Sequence, residues 1–386
     1  LGARPASTLK FSCFGLDLLP RTDDACYARS ESGKITLTAA RMERNQMTNS
    51  LIARRKLLAH GGLGLSAGLM AGIARSADAR SSPNHGIWSE GYWANKGEVK
   101  LAMYRKWLGE KGGWPDKPLP VLFLVHGSSL SSMSSYDLDV PGGEYSMMNV
   151  FAQAGFDVWT VDHEGYGRST QTANNADIAS GVEDLKAAIA VVQRKTGQSK
   201  VHMFGESSGA IRAGAFAQSE PSRVDRLILA AFTYKGSGAA EIERRKAHLA
   251  ELRANPRRER DAAMIRSIFS RDGHPNLYDP AMVDALVASE IEYGDTVPSG
   301  TYLDMAANLP LVDPAKVRSP VLMTRGEWDG NSTNDDLLDF FRQLPNGDRQ
   351  FIILPNTAHS QAFSKNRQLL WYAMKNFLGE PAAVAS

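Results

Sequence analysis

Apolar residues from about residue 88 onward follow two patterns. Short, largely apolar runs occur at 119–125, 156–162, 201–204, 224–232, 320–324 and 351–354. Runs of this length are typical of strands buried on both faces, as in a parallel sheet. The segment Asp177 to Lys195 instead has apolar residues three and four positions apart, which predicts a helix packed on that sheet. The alternation predicts an α/β fold with a mostly parallel, doubly wound sheet.

Both ends of this region have their own patterns. At its start, two strand-like runs flank Asn95-Lys96-Gly97, which predicts an antiparallel hairpin. At its end, residues 363–378 have the spacing of an amphipathic helix. We therefore expect the fold to begin with a hairpin and to close with a helix.

The strand pattern stops between residues 233 and 318. Helical patterns in this stretch occupy three segments, 241–252, 258–269 and 280–292. A further helix is predicted to start at Gly300. We therefore predict a core in two parts, 80–232 and 319–386, with a helical insertion at 233–318 between them.

The composition is that of a soluble globular protein, with 43% hydrophobic and 22% charged residues among 386. Residues 1–46 show neither strand nor helix periodicity. We predict that they are an upstream or disordered segment outside the fold, and that translation starts at Met47.

A secretion-like order of residues follows Met47. Arg54 and Arg55 precede a weakly apolar stretch at 61–74, and Ala77-Asp78-Ala79 matches an A-x-A cleavage site. The segment 47–79 resembles a bacterial twin-arginine signal, and its apolar stretch is too short for a stable membrane anchor. A frayed N-terminal helix is the alternative interpretation. The signal predicts a periplasmic or secreted protein.

Removal of residues 1–79 changes the charge and the cysteine content. The net charge of +2 becomes −3, with 33 basic and 36 acidic residues left, and no charge pattern for a nucleic-acid partner remains. Cys13 and Cys26 both lie in the removed segment. The mature chain is therefore expected to lack disulfides, thiol nucleophiles and cysteine-based zinc sites. Its oligomeric state stays open between monomer and homodimer.

The candidate chemistry is centred on Gly205-Glu206-Ser207-Ser208-Gly209, between the run 201–204 and a small-residue helix from Ala210. G-x-S-x-G between a strand and a helix is typical of a nucleophile elbow, a strained turn that presents the serine at a helix N-terminus. The positions two before and two after the serine must be small, because strand and helix approach closely there. An ordinary Gly/Ser turn is the alternative.

With this elbow, the order of the other motifs resembles the α/β-hydrolase family over about residues 88–379. In that family a G-x-x-D sequence after a late strand carries the acid, which matches Asp329, and the loop after the last strand carries the histidine, which matches His359. The resemblance implies a catalytic triad of Ser207, Asp329 and His359, with Glu327 as a reserve acid.

The same resemblance assigns further parts. His126-Gly127 begins the oxyanion loop, so the backbone N–H groups of Ser128 and Ser208 are expected to form the oxyanion hole. The segment 162–169 matches a family turn motif in which Glu164 replaces the usual arginine. The insertion at 233–318 is then the family's helical cap.

The resemblance implies a serine hydrolase of the EC 3.1.1 class that cleaves a carboxylic ester or lactone through an acyl-enzyme. It implies a small-molecule substrate and neither a metal nor an organic cofactor. The same triad serves C–C bond hydrolases, amidases and hydroxynitrile lyases. A ligand-binding protein that keeps the apparatus without turnover is a different class of alternative.

Several features keep two interpretations each. His126 and His163 are tempting as a base or metal ligand, and we expect both to be structural. The serine-rich loop at 129–145 either walls the acyl pocket or is a solvated surface loop. The basic runs at 244–246 and 257–260 either attract an anionic substrate or form solvated helix faces. Five cap side chains either line a pocket or form the cap core: Phe269, Tyr278, Tyr293, Tyr302 and Met305.

Overall fold

The computed structural model describes residues 86–109, 118–271 and 273–379. The predicted upstream segment at 1–46 and the predicted signal at 47–79 lie outside these residues. Within the described ranges, no helix combines the length and apolarity needed to cross a membrane.

The strands are numbered in chain order. They are β1 (Gly86–Lys96), β2 (Val99–Gly109), β3 (Val121–Val125), β4 (Leu138–Val140), β5 (Gly143–Tyr145), β6 (Asp157–Val161), β7 (Val201–Glu206), β8 (Val224–Ala230), β9 (Arg257–Glu259), β10 (Thr296–Pro298), β11 (Val321–Gly326) and β12 (Arg349–Leu354).

The helices are numbered in the same way. They are α1 (Ser132–Tyr136), α2 (Met147–Gln153), α3 (Ile178–Thr196), α4 (Ser208–Ser219), α5 (Ala240–Ala247), α6 (Leu249–Ala254), α7 (Ala262–Ser267), α8 (Pro280–Ile291), α9 (Gly300–Ala307), α10 (Asn334–Gln343) and α11 (Arg367–Gly379).

One eight-stranded sheet organises the core, in the spatial order β1-β2-β6-β3-β7-β8-β11-β12. The neighbouring strands from β6 to β12 pair in parallel. The β1–β2 hairpin is antiparallel and joins the sheet through an antiparallel β2–β6 pairing. Its turn contains Gly97 at φ +58, a left-handed conformation that glycine adopts without strain. The predicted mostly parallel sheet and its opening hairpin are confirmed.

Strand β3 shows why the sequence runs are continuously apolar. Its residues 121, 123 and 125 belong to one hydrophobic cluster, which includes side chains of α3, α4 and α10. Leu122 and Leu124 belong to a second cluster on the opposite face, with side chains of α2 and α11. Because helices cover both faces, successive strand residues are all buried. The sheet is therefore doubly wound, as predicted.

Helix α3 has clear chemical boundaries. The Asp177 carboxylate accepts a hydrogen bond from the N–H of Ser180 at 2.8 Å and caps the first turn. Gly197 ends the helix in the left-handed conformation, at φ +73. The helix predicted for Asp177 to Lys195 is thus present at Ile178–Thr196.

The segment between β8 and β11 differs from the prediction in two places. The helix expected at 241–252 is two helices, α5 and α6, separated at His248. The helix expected at 258–269 is shorter, because residues 257–259 form β9 and pair antiparallel with β10. Asp261 then caps α7 by accepting from the N–H of Met264. A charged strand of three residues has no apolar alternation for sequence reading to detect.

The serine-rich segment at 129–145 is structured rather than solvated. It contains α1 and a hairpin of β4 and β5, and all five of its serines are buried, Ser129, Ser131, Ser132, Ser134 and Ser135. The interpretation as a solvated surface loop is therefore wrong. Ser131 joins this segment to cap helix α8, since its N–H and hydroxyl both donate to the buried Glu290 carboxylate, at 2.5 and 2.7 Å. Glu290 also pairs with the buried Arg260.

Candidate active site

Four parallel strands bring the predicted site residues to one edge of the sheet. His126 and Gly127 follow β3, Ser207 follows β7, Asp329 lies three residues beyond β11, and His359 follows β12. The carboxyl ends of neighbouring parallel strands share an edge, which is where open α/β sheets bind ligands. The sheet topology therefore brings together residues that are far apart in the sequence.

Close packing at the elbow explains its two glycines. A Cβ on Gly205 would lie 2.3 Å from the carbonyl oxygen of Gly209, and a Cβ on Gly209 would lie 2.1 Å from that of Val125. Between them Ser207 adopts φ 62 and ψ −128, a strained conformation for a residue with a side chain. Its N–H donates to the carbonyl of Ala230 at 2.9 Å. This geometry projects the serine hydroxyl above the sheet edge.

A continuous chain of hydrogen bonds runs from this serine. Ser207 Oγ lies 2.8 Å from His359 Nε2, and His359 Nδ1 lies 2.8 Å from Asp329 Oδ1. Asp329 and His359 are buried, at 3% and 5% exposure, which shields these bonds from water. The arrangement can move a proton from the serine to the histidine while the aspartate fixes the imidazole tautomer.

The environment keeps Asp329 ionised. Burial by itself raises the pKa of its carboxyl, but the charge and N–H of His359 and the N–H of Asn331 outweigh burial and lower the pKa below its usual value. The bond from Asn331 measures 2.8 Å. Glu327, the reserve candidate, is exposed and accepts instead from the N–H of Asn356. The structure therefore brings Asp329, and not Glu327, to the histidine.

The two predicted oxyanion residues both lie beside Ser207. Ser128 lines the same cavity as Ser207, and its hydroxyl donates to that of Ser208 at 2.5 Å. The carbonyl of Ser128 accepts from the hydroxyl of Tyr166 at 2.9 Å and from Arg258 at 2.7 Å, which fixes the loop's orientation. The role of their N–H groups as oxyanion donors stays a prediction.

His126 and His163 hold this loop in position through buried hydrogen bonds. His126 donates from Nδ1 to the carbonyl of Gly127 at 2.8 Å and accepts at Nε2 from the N–H of His163 at 3.0 Å. His163 donates from Nδ1 to Asp184 at 3.0 Å. Both rings are fully buried, and burial lowers the pKa of each well below its usual value. They are therefore neutral structural groups.

Glu206 is a site residue that the sequence reading passed over as the variable position of the motif. It is buried and lines the cavity beside Ser207. Burial raises the pKa of its carboxyl to about 7, although the N–H of Ala362 and the charge of His359 act in the opposite direction. The signal for this residue was available, since an acidic side chain inside a buried elbow has little access to water.

The cavity above Ser207 has walls of two kinds. Apolar surface comes from Leu130, Ile268 and Phe363, and polar surface comes from three cap side chains, Arg245, Arg271 and Tyr302. Arg245 is buried, whereas its neighbours Arg244 and Lys246 are 60% and 47% exposed. The interpretation of residues 244–246 as a solvated face is thus right for two residues and wrong for Arg245. The burial of Arg245 could have been inferred from its position three residues after the apolar Ile242, which places both on the same face of the helix.

The five cap side chains have different positions. Tyr302 lines the cavity. Phe269 packs against Tyr278 and Phe363, with ring centroids 4.9 and 5.8 Å apart, so it lies behind the lining. Met305 is buried in the main core cluster, and Tyr293 lies beside a separate surface cavity.

A family model described as serine aminopeptidase, S33, matches residues 142–366, more than half of the chain, and this range includes Ser207, Asp329 and His359. The chain therefore belongs to this family of α/β-hydrolases.

Individual relatives are more distant. Lipase lipl-3 of Caenorhabditis elegans is 32% identical over 108 residues, which are 25% of this chain and 26% of the lipase. The 2-hydroxy-6-oxononadienedioate/2-hydroxy-6-oxononatrienedioate hydrolase of Paraburkholderia phymatum is 32% identical over 111 residues, 28% of this chain and 34% of that one. The matches thus span about a quarter to a third of these relatives' own length.

Solved structures share the fold. A carboxylesterase from Bacillus subtilis superposes with a TM-score of 0.55 at 19% identity, covering 76% of this chain and 92% of the esterase. At this identity the likeness concerns the fold alone.

Proposed function

We propose that the protein is a serine hydrolase that cleaves a carboxylic ester or lactone through an acyl-enzyme. The observation that carries the proposal is the hydrogen-bond chain from Ser207 through His359 to Asp329, which opens into a cavity. Hydrogen-bond contact between nucleophile and base, with the base oriented by a third group, is the geometry that activates a serine.

The reaction has two halves. Ser207 Oγ attacks the carbonyl carbon while its proton passes to His359 Nε2, and Asp329 stabilises the imidazolium that forms. The N–H groups of Ser128 and Ser208 hold the oxyanion, and His359 protonates the leaving alcohol, which produces the acyl-enzyme. Water then gives a proton to His359 and attacks the acyl carbon. The acyl–Oγ bond breaks, the acid leaves, and His359 returns the proton to Ser207 Oγ.

A fluorophosphonate probe tests the nucleophile. We expect stoichiometric labelling at Ser207 in the wild type and none in Ser207→Ala, with turnover of short and aromatic esters lower by about 10⁴-fold or more in the variant. Ser219→Ala is a matched control, because Ser219 is an exposed serine at the end of the same helix, α4. Absence of labelling in a folded wild type would refute the assignment.

A C–C bond hydrolase is the second candidate. It is favoured by the local similarity to the Paraburkholderia phymatum hydrolase of a 2-hydroxy-6-oxo substrate. Labelling at Ser207 without turnover of any ester in the panel would support this alternative, because the same nucleophile would then act on another bond.

A further inference from the structure

Positive charge is concentrated at the cap side of the cavity. Arg245 and Arg271 line the cavity together with Ser207 and His359. Arg258 lies next to it and donates to the carbonyl of Ser128 and to Ser129 Oγ, at 2.7 and 2.9 Å. Three guanidinium groups thus surround one end of a space whose other walls include apolar side chains.

Arg245 has no carboxylate at ion-pair distance among the described residues. It is 7% exposed, and its guanidinium donates to Asn331 Oδ1 at 3.2 Å and lies 3.4 Å from the Met305 sulfur. Among the residues that the structure describes, Arg258 also has no carboxylate at ion-pair distance. A buried charge without a counter-charge is costly. By contrast Arg260, the other deeply buried arginine of the cap, faces Glu290.

Tyr302 lies among these positive charges. The guanidinium carbons of Arg258 and Arg245 lie 3.9 and 4.5 Å from the centre of its ring. Burial alone would raise the pKa of the phenol, but the charges of Arg258, Arg245 and Arg271 outweigh burial and lower the pKa well below its usual value. A negative charge placed here is therefore stabilised despite the loss of water.

We propose that this cationic end of the cavity binds a carboxylate, and that the substrate is an anionic ester or lactone carrying a carboxylate besides its scissile bond. A guanidinium matches a carboxylate geometrically, since two N–H groups can donate in parallel to its two oxygens. Arg245 is the specificity-determining residue, because it is buried, lines the cavity and has no carboxylate partner among the described residues. The inference rests on the proposed hydrolysis at Ser207.

Two esters of equal chain length and leaving group test the specificity. We expect kcat/KM for 4-nitrophenyl hydrogen glutarate to exceed that for 4-nitrophenyl valerate by at least about tenfold. In Arg245→Gln, kcat/KM for the glutarate ester should fall by about 10- to 100-fold, the range for a charge-assisted hydrogen-bonded pair. The valerate ester should change by less than about threefold, because it makes no contact that depends on the charge.

Two variants control for effects on folding and on total charge. Arg244→Gln removes the same charge from the adjacent, exposed position of α5 and should leave both esters unchanged. Arg245→Lys keeps the buried charge and should retain part of the preference for the glutarate ester. Equal losses on both esters in Arg245→Gln would overturn the specificity role.

Binding without turnover separates this inference from the proposed function. By calorimetry, glutarate should bind to Ser207→Ala and detectably more weakly to the double variant with Arg245→Gln, whereas 1,5-pentanediol should bind to neither. Equal binding of glutarate to both variants overturns the inference and leaves the phenolate of Tyr302 as the anion held by the arginines. If glutarate binding depends on Arg245 but the probe does not label Ser207 in the wild type, only the proposed hydrolase function is overturned.

Discussion

Glu206 connects the candidate active site to the stability of the fold. Its carboxyl is buried next to Ser207, and burial raises its pKa from 4.5 to about 7. Replacing it by glutamine keeps the size and the carbonyl that can accept from the N–H of Ala362. The substitution therefore removes the titration with little change in packing.

The size and sign of the effect follow from linkage. Because the folded state keeps a proton that the unfolded chain loses near its ordinary pKa, the free energy of unfolding falls as pH rises from about 4.5 to about 7. Outside this window Glu206 contributes no pH dependence. Since one pKa unit corresponds to about 1.4 kcal/mol, Glu206 contributes a fall of up to about 3 kcal/mol in the wild type.

Denaturant unfolding across this pH range measures the difference. The free energy of unfolding of the wild type, relative to Glu206→Gln, should fall by up to about 3 kcal/mol between about pH 4.5 and 7.5. Glu183→Gln is the matched control, because Glu183 is a 56% exposed glutamate on α3, and it should parallel the wild type. If the free energies of unfolding of the wild type and Glu206→Gln differ by the same amount at both ends of this pH range, the carboxyl of Glu206 is not buried in its protonated form.

Two further substitutions test the geometry of the site. Asp329→Asn should lower kcat by about 10³- to 10⁴-fold while the thermal unfolding midpoint stays near the wild-type value, because an amide favours the wrong histidine tautomer; a loss below tenfold would exclude Asp329 as the orienting acid. Gly209→Ala should lower the free energy of unfolding by more than about 3 kcal/mol, since its Cβ would lie 2.1 Å from the carbonyl oxygen of Val125. Gly347→Ala, with no atom near the added Cβ, is the matched control in denaturant unfolding, and equal losses in the two variants would contradict the proposed close packing.

The sheet and the central residues were predictable for one physical reason. Strands buried on both faces produce continuous apolar runs, and parallel strands end at a shared edge. Ser207, Asp329 and His359 each follow such a run, so chain order alone predicts that they lie close together. The structure places them in hydrogen-bond contact.

The cap and the serine-rich segment were predicted less well because their stability depends on tertiary contacts between polar groups. Serine-rich segments are ordinarily exposed to solvent. Here the hydroxyl of Ser134 forms hydrogen bonds with those of Ser131 and of Ser289 in α8, at 3.2 and 2.7 Å. Similarly, Arg245 reads as part of a charged helix face until Ile242 is known to point inward. Sequence periodicity identifies apolar burial, and it has no comparable signal for polar groups that satisfy one another.

The contacts of Glu290 join the cap to the serine-rich segment. This carboxylate holds Arg260 on the cap side and Ser131 on the core side, with no exposure of its own. Swinging α8 away from α1 would break both bonds from Ser131 to the buried Glu290 carboxylate. Because a buried carboxylate is costly to leave without its hydrogen bonds, we expect the two segments to move as one body. We therefore expect substrate to enter and leave the cavity without separation of α8 from α1.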